Sequence, residues 1–185
     1  MATATGSKSY ADSAYNLAGY SVSSVGDVNG DGLADIALTA PLADGYRFGT
    51  LADSGKAYVV FGTKATTPIK ISDLEKGVGG FAIQGDSATH MGISVTGAGD
   101  FNGDGYADIA VSTPDAAITP TRNAGKVYVI YGGTTTPTTP IDLLTGFTGK
   151  GVVINGPGNT AINLVDVNFG ASVLSLIHIS EPTRP

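Results

Sequence analysis

The stretch GDVNGDGLADIALTAP, Gly26–Pro41, sets Asp27, Asn29, Asp31 and Asp35 around glycines and then turns abruptly apolar. A second copy, GDFNGDGYADIAVSTP, runs from Gly99 to Pro114. Two solvated loops have little reason to share Asp-x-Asn-x-Asp-Gly-x-x-Asp, so the repeat decides how the rest is read. Asp27 lies 73 residues before Asp100, and the preceding segments GYSVSSVGD and GISVTGAGD keep that offset. Downstream, GKAYVVFG (Gly55–Gly62) matches GKVYVIYG (Gly125–Gly132) at an offset of 70. The likeness continues through the Thr- and Pro-rich connectors TKATTPIKISDL and TTTPTTPIDLL to FAIQG at Phe81 and VVING at Val152, and FGASV at Phe169 opens a third unit.

Each unit supplies four candidate strands. In the first these are Gly19–Val25, Ile36–Thr39, Ala57–Phe61 and Phe81–Gln84; in the second, Ile93–Thr96, Ile109–Ser112, Val127–Tyr131 and Val152–Asn155. No long stretch shows the apolar spacing of an amphipathic helix, whereas Tyr, Val, Ile and Thr fill the runs between turn residues, so the class is all-β. Four strands per unit at a fixed period favour radial repetition, in which each sheet buries its faces against its neighbours. The expectation is a partial β-propeller: two four-stranded antiparallel blades plus the first strand of a third. A sandwich of duplicated sheets and a solenoid are the competing architectures.

Composition agrees. Charged residues make up 14% of the 185 against about 25% in an ordinary globular protein, and 27 glycines are roughly twice the usual share. The net charge of −6 argues against nucleic acid and anionic membranes as partners, since both recruit Lys and Arg. Six aspartates sit in the two motifs, so two bound divalent cations would take the formal charge from −6 to −2. With no cysteine there is neither a disulfide framework nor a thiolate metal site. The amino terminus, MATATGSKSYADSAYN, lacks the apolar core of a signal peptide, and no run approaches a membrane helix.

These residues resemble the FG-GAP repeat of integrin alpha-type β-propellers. The Phe-Gly element stands intact at Phe169-Gly170 and as Ala18-Gly19 and Met91-Gly92 in the first two units; the Gly-Ala-Pro element is Thr39-Ala40-Pro41 and Ser112-Thr113-Pro114. The resemblance implies a ring of seven blades, of which this chain holds a minority, with the remaining blades as partners. It divides the chain into an amino-terminal segment, residues 1–14; repeats over 15–85 and 86–156; and the start of a third repeat over 157–173. The tail LSLIHISEPTRP, Leu174–Pro185, looks like a translated sequencing adapter, is expected to be non-native, and gives His178 no functional weight.

A hard cation such as calcium takes six to eight oxygen ligands from a short flexible loop, and alternate residues supply them. In the first loop the candidate ligands are Asp27, Asn29, Asp31, the Leu33 carbonyl and Asp35; in the second they are Asp100, Asn102, Asp104, the Tyr106 carbonyl and Asp108. That makes two Ca2+ sites. An all-oxygen set disfavours zinc and copper. An EF-hand or dockerin loop starts with the same run but needs a bidentate acid at its twelfth position, where Leu38 and Val111 stand, and a strand-like sequence follows.

Catalytic signal is poor. His90 has no paired acid or nucleophile at a suggestive spacing, Ser54 and Ser87 lie in ordinary turns, and Asp86 and Asp115 are isolated in the sequence. Tyr58, Phe61, Tyr128 and Tyr131 alternate with Val and Ile as packing residues would. The expected function is a calcium-binding, non-enzymatic module of an extracellular or cell-surface protein that mediates adhesion or the binding of a protein or glycan ligand. The second reading is the propeller portion of a secreted, phospholipase-like hydrolase whose active site lies elsewhere. Loops around Arg47 and Arg122 are the longest candidates for ligand contact.

Overall fold

A computed structural model describes residues 16–46, 50–51, 53–86, 88–119, 122–156 and 169–173. The amino-terminal segment, Ser87, most of the third-repeat opening and the tail lie outside these. In chain order the first repeat forms β1 (Val22–Gly26), β2 (Asp35–Ala40), β3 (Gly45–Tyr46), β4 (Thr50–Leu51), β5 (Lys56–Val60), α1 (Ile71–Leu74) and β6 (Gly80–Gln84). The second forms β7 (Val95–Gly99), β8 (Asp108–Thr113), β9 (Ala117–Thr119), β10 (Arg122–Asn123), β11 (Lys126–Ile130), β12 (Ile141–Asp142) and β13 (Gly151–Asn155). All eight principal strands of the sequence reading form, within a few residues of their expected bounds.

The sheets are antiparallel meanders, β1-β2-β5-β6 and β7-β8-β11-β13. Two departures from the plain four-stranded blade stand out. The short hairpins β3-β4 and β9-β10 occupy the longest candidate loops. More consequentially, β12, from the second repeat, adds a fifth strand to the first sheet by pairing in parallel with β6. Its two residues sit in a Thr/Pro-rich connector, where proline interrupts any longer strand pattern and hides the pairing.

Alternation along the strands explains the packing. Ala37, Ala57, Val59, Phe81 and Ile83 face the second sheet and share one core with Val95, Ile109, Val111, Tyr128, Ile130 and Phe147. The intervening Tyr58 and Ala82 turn to the opposite face, where Ala40, Ala43 and Leu74 of α1 cover them. Tyr58 and Tyr128 are therefore packing residues, as their alternation suggests, and Tyr128 meets Phe147 edge-on at 5.2 Å. Lys56, fully buried at the start of β5, is held by Glu75 just beyond α1, its Nζ donating to Oε1 at 2.6 Å.

Phe169–Val173 docks against the second sheet but makes no ladder of its own among the described residues. The amide of Val173 donates to Ser94 Oγ at 3.0 Å.

Candidate metal centre

Both aspartate loops leave their sheet in the same way. The pairing of β1 with β2 slips between Ser24 and Gly26, and that of β7 with β8 slips between Gly97 and Gly99. An extra residue at that point bends the strand and sharpens its twist, which aims the chain into the loop at Asp27 and at Asp100.

Inside the loops the hydrogen bonds repeat almost atom for atom. Asp27 Oδ1 accepts from the amides of Gly30 (2.7 Å) and Asp31 (3.1 Å), and its Oδ2 from Gly32 (2.8 Å). Asp100 accepts from Gly103, Asp104 and Gly105 at 2.8, 2.9 and 2.9 Å. Asn29 Oδ1 accepts from Asp31 N, and Asp31 Oδ1 from Leu33 N; Asn102 and Asp104 do the same with Asp104 N and Tyr106 N. The side-chain amides of Asn29 and Asn102 donate to Asp31 and Asp104. Successive turns of this kind are what short Asx side chains build when they bond their own backbone two residues on. They turn the side-chain oxygens of Asp27, Asn29 and Asp31, and of Asp100, Asn102 and Asp104, back onto the amides of their own loop.

The last position behaves differently from the others. Asp35 and Asp108 are buried, whereas Asp31 and Asp104 are exposed. Asp35 Oδ2 accepts from Val28 N at 2.9 Å and Oδ1 from Gly62 N at 2.8 Å, so one carboxylate clamps its loop to the end of β5. Asp108 repeats the clamp with Phe101 N and Asn102 N on one oxygen and Gly132 N on the other. Burial pushes both carboxyls above the ordinary carboxylate value, against the pull of these amides. Nearby Asp31 and Asp27 add to the rise at Asp35, and Asp104 at Asp108.

The two loops abut. Ala107 N donates to the carbonyl of Asp27 at 3.0 Å, and the Tyr106 ring lies so close to Gly30 that a Cβ there would sit 2.5 Å from its Cε1. Gly30 has φ +78°, so both backbone and neighbour require glycine. Each loop is followed by a strand, β2 or β8, where an EF-hand would continue as a helix.

Among the described residues, no three acidic or imidazole side chains converge as a ready-made cation cage. The ligand types nonetheless fit a hard cation: the donors are all oxygen, they lie on one short loop, and the oxygens that accept a single amide, such as Asp27 Oδ2 and Asp31 Oδ1, keep a second lone pair, whereas Asp27 Oδ1 and Asp100 Oδ1 each accept two.

His90 corrects the sequence reading. It has a paired acid, Asp115, whose Oδ2 lies 2.7 Å from His90 Nδ1, and Asp115 is therefore not isolated. The two side chains are 34% and 40% exposed, and the 25-residue separation gave no local signal. Ser54 is buried with Oγ donating to the Ala43 carbonyl, a structural role. Sequence reasoning also missed a cleft of about 460 Å³ between the sheets, lined by Phe61, Phe81, Tyr106, Tyr131, Asp104 and Lys150. Arg47 lies outside the described residues, as does the side chain of Arg122.

The FG-GAP repeat family model matches residues 18–60 and 91–130, the spans that carry β1 to β5 and β7 to β11 with both aspartate loops. The chain carries two FG-GAP repeats. Among its relatives, mouse integrin alpha-E is 34% identical over 106 residues, covering 54% of this chain and 8% of that protein. Bovine phosphatidylinositol-glycan-specific phospholipase D is 30% identical over 118 residues, covering 64% of this chain and 14% of the relative. Chicken integrin alpha-6 is 33% identical over 114 residues, covering 62% and 9%. The chain thus spans a small fraction of the length of the relatives it matches. No helix among the described residues is long and apolar enough to cross a membrane.

Proposed function

We propose that the two aspartate loops hold calcium and that the chain is a calcium-stabilised propeller module, used for adhesion or ligand binding by a protein at or outside the cell surface. The observation that carries this reading is the duplicated hydrogen-bond network, in which the same oxygen-bearing side chains make the same contacts at the same positions in both FG-GAP repeats. Asp27, Asn29, Asp31, Leu33 and Asp35 would hold one ion, and Asp100, Asn102, Asp104, Tyr106 and Asp108 the other. The ion would supply positive charge to a concentrated set of carboxylates and lock the strands on either side of each loop. Loops of this kind with modest affinity suit surroundings where calcium is near millimolar. In this reading the module binds a protein or glycan and does not catalyse: among the described residues no hydroxyl or other nucleophile hydrogen-bonds to the His90-Asp115 side chains.

Isothermal titration of the chain with calcium, against Asp31→Asn and Asp104→Asn, tests the assignment. Each substitution removes a charged oxygen from one loop, so each should weaken one site and spare most of the other. Unchanged stoichiometry and affinity in either variant would refute it.

The likeness to phosphatidylinositol-glycan-specific phospholipase D favours one second reading, in which the module accompanies a hydrolase domain. A complete reading frame that encodes a catalytic domain beside the repeats would decide for it.

A further inference from the structure

The outer strands of the two sheets hold the same place in their repeats and have opposite surroundings. On β6, Phe81, Ala82 and Ile83 are 4%, 1% and 0% exposed; on β13 their counterparts Val152, Val153 and Ile154 are 37%, 37% and 41% exposed. Ala82 is covered by Ala40, Ala43 and Leu74 of its own repeat, but the edge of β6 and its Phe81-Ile83 face are covered from the other repeat. β12 sets Ile141 against Ile83 and Asp142 against Gln84. Leu143 N then donates to the Gln84 carbonyl at 3.1 Å, and Gln84 Nε2 to Asp142 Oδ2 at 3.3 Å. Ile141, Leu143 and Phe147 enter the shared core. In the first repeat the same connector reads Pro68-Ile69-Lys70, and Ile69 is 45% exposed where Ile141 is 4%. Exposure of these two apolar features thus follows whether an adjoining sheet is present to receive the connector.

The next repeat already opens on the second sheet. A Cβ on Gly125 would lie 2.2 Å from the Phe169 carbonyl oxygen, and one on Gly55 would lie 2.2 Å from that of Met91. Val173 N donates to Ser94 Oγ as Val95 N does to Ser21 Oγ, at 3.0 and 3.3 Å. Phe169–Val173 therefore docks on the second sheet as Met91–Val95 docks on the first.

We propose that β13 is the seat for the Pro-Ile-polar-aliphatic connector of a third repeat, added as a short parallel strand in the register that β12 takes on β6. The connector's isoleucine would face Ile154 and its polar residue Asn155, which holds the place in β13 that Gln84 holds in β6. Addition of a strand to a sheet edge supplies main-chain hydrogen bonds, with the apolar side chains giving selectivity. A second copy of this chain is the poorer occupant, because its Ala18–Val22 segment would need the place beside Ser94 that Phe169–Val173 fills.

The sequence holds no cysteine, so one introduced thiol reports the seat. The full chain carrying Ile154→Cys is mixed, under glutathione exchange, with a synthetic peptide of residues 137–147 carrying Ile141→Cys. Neighbouring strands lie about 4.7–4.9 Å apart, close to disulfide reach for residues paired across them. Seating raises the local thiol concentration, so trapping should run at least about tenfold faster at position 154 than in a Val78→Cys chain, an exposed apolar position outside any strand. The trapped product should also show slowed amide exchange along β13 with β6 unchanged. Equal trapping rates would overturn the proposal. So would preferential disulfide dimers of Ile154→Cys chains, which would make a second copy the occupant, or exchange changes at β6, which would mean that the peptide had displaced β12.

Discussion

Replacing Asp35 by alanine should separate the structural from the ligand role within one loop. The carboxylate is buried and accepts the amides of Val28 and Gly62 at 2.9 and 2.8 Å. Its removal orphans two donors in a closed part of the fold, each costing about 1–3 kcal/mol. The variant no longer bears the cost of burying the carboxyl that raises its pKa, which brings the expected net loss to roughly 2–4 kcal/mol. In a chain of this size about 1 kcal/mol moves the melting temperature by some 2–4 °C, so the fall should be about 4–16 °C. The assay is thermal unfolding by circular dichroism in excess chelator, where loss of a cation cannot contribute. Asp31→Ala is the control: its carboxylate is exposed and its partners can turn to water, so it should lose less than about 1 kcal/mol in chelator. An Asp35→Ala chain melting within a degree or two of wild type, or an Asp31→Ala chain falling as far, would refute the clamp.

Burial holds Asp35 and Asp108 above 3.8, so without metal the folded chain keeps these protons more tightly than the unfolded one. The resulting stability is fully present below 3.8 and is lost as pH rises through the raised values. Wild type minus Asp35→Asn, melted in chelator across the acid range, should show that slope, whereas calcium-loaded protein should weaken on acidification because protons compete for the same oxygens. Glu75→Gln removes one charged partner of the buried Lys56 and, with Glu75 18% exposed, should cost about 2–3 kcal/mol, less than breaking a fully buried pair, read by urea denaturation; a loss under about 0.5 kcal/mol would mean that the pair contributes nothing. Gly30→Ala forces alanine into a left-handed conformation against the Tyr106 ring and should cost at least about 1–2 kcal/mol in the same assay, with retained stability counting against the close contact of the loops.

What the sequence disclosed and what it withheld have physical causes. Strand positions were legible because Ala57, Val59, Phe81 and Ile83 alternate with side chains of the other face, and the loops because their Asp, Asn and Gly positions recur in register. β12 was not, because two residues within a Pro-rich connector carry no period and pair with a strand some 58 residues away. The His90-Asp115 contact was invisible for the same reason of distance along the chain. Within the loops the pattern assigned five similar ligands; only burial distinguishes Asp35 and Asp108, which clamp backbone amides, from the exposed Asp31 and Asp104.

Melting the wild-type chain in calcium and in chelator shows whether the two loops are calcium sites that stabilise the fold. An ion that binds only the folded form adds about 1.4 kcal/mol per site at ten times its Kd, hence about 2.8 kcal/mol for two sites and a rise in melting temperature of roughly 6–11 °C. Magnesium, which demands near-ideal octahedral geometry and keeps its waters, should give less. Identical melting in chelator and in millimolar calcium would contradict the account and leave both loops as Asx turns that need no ion.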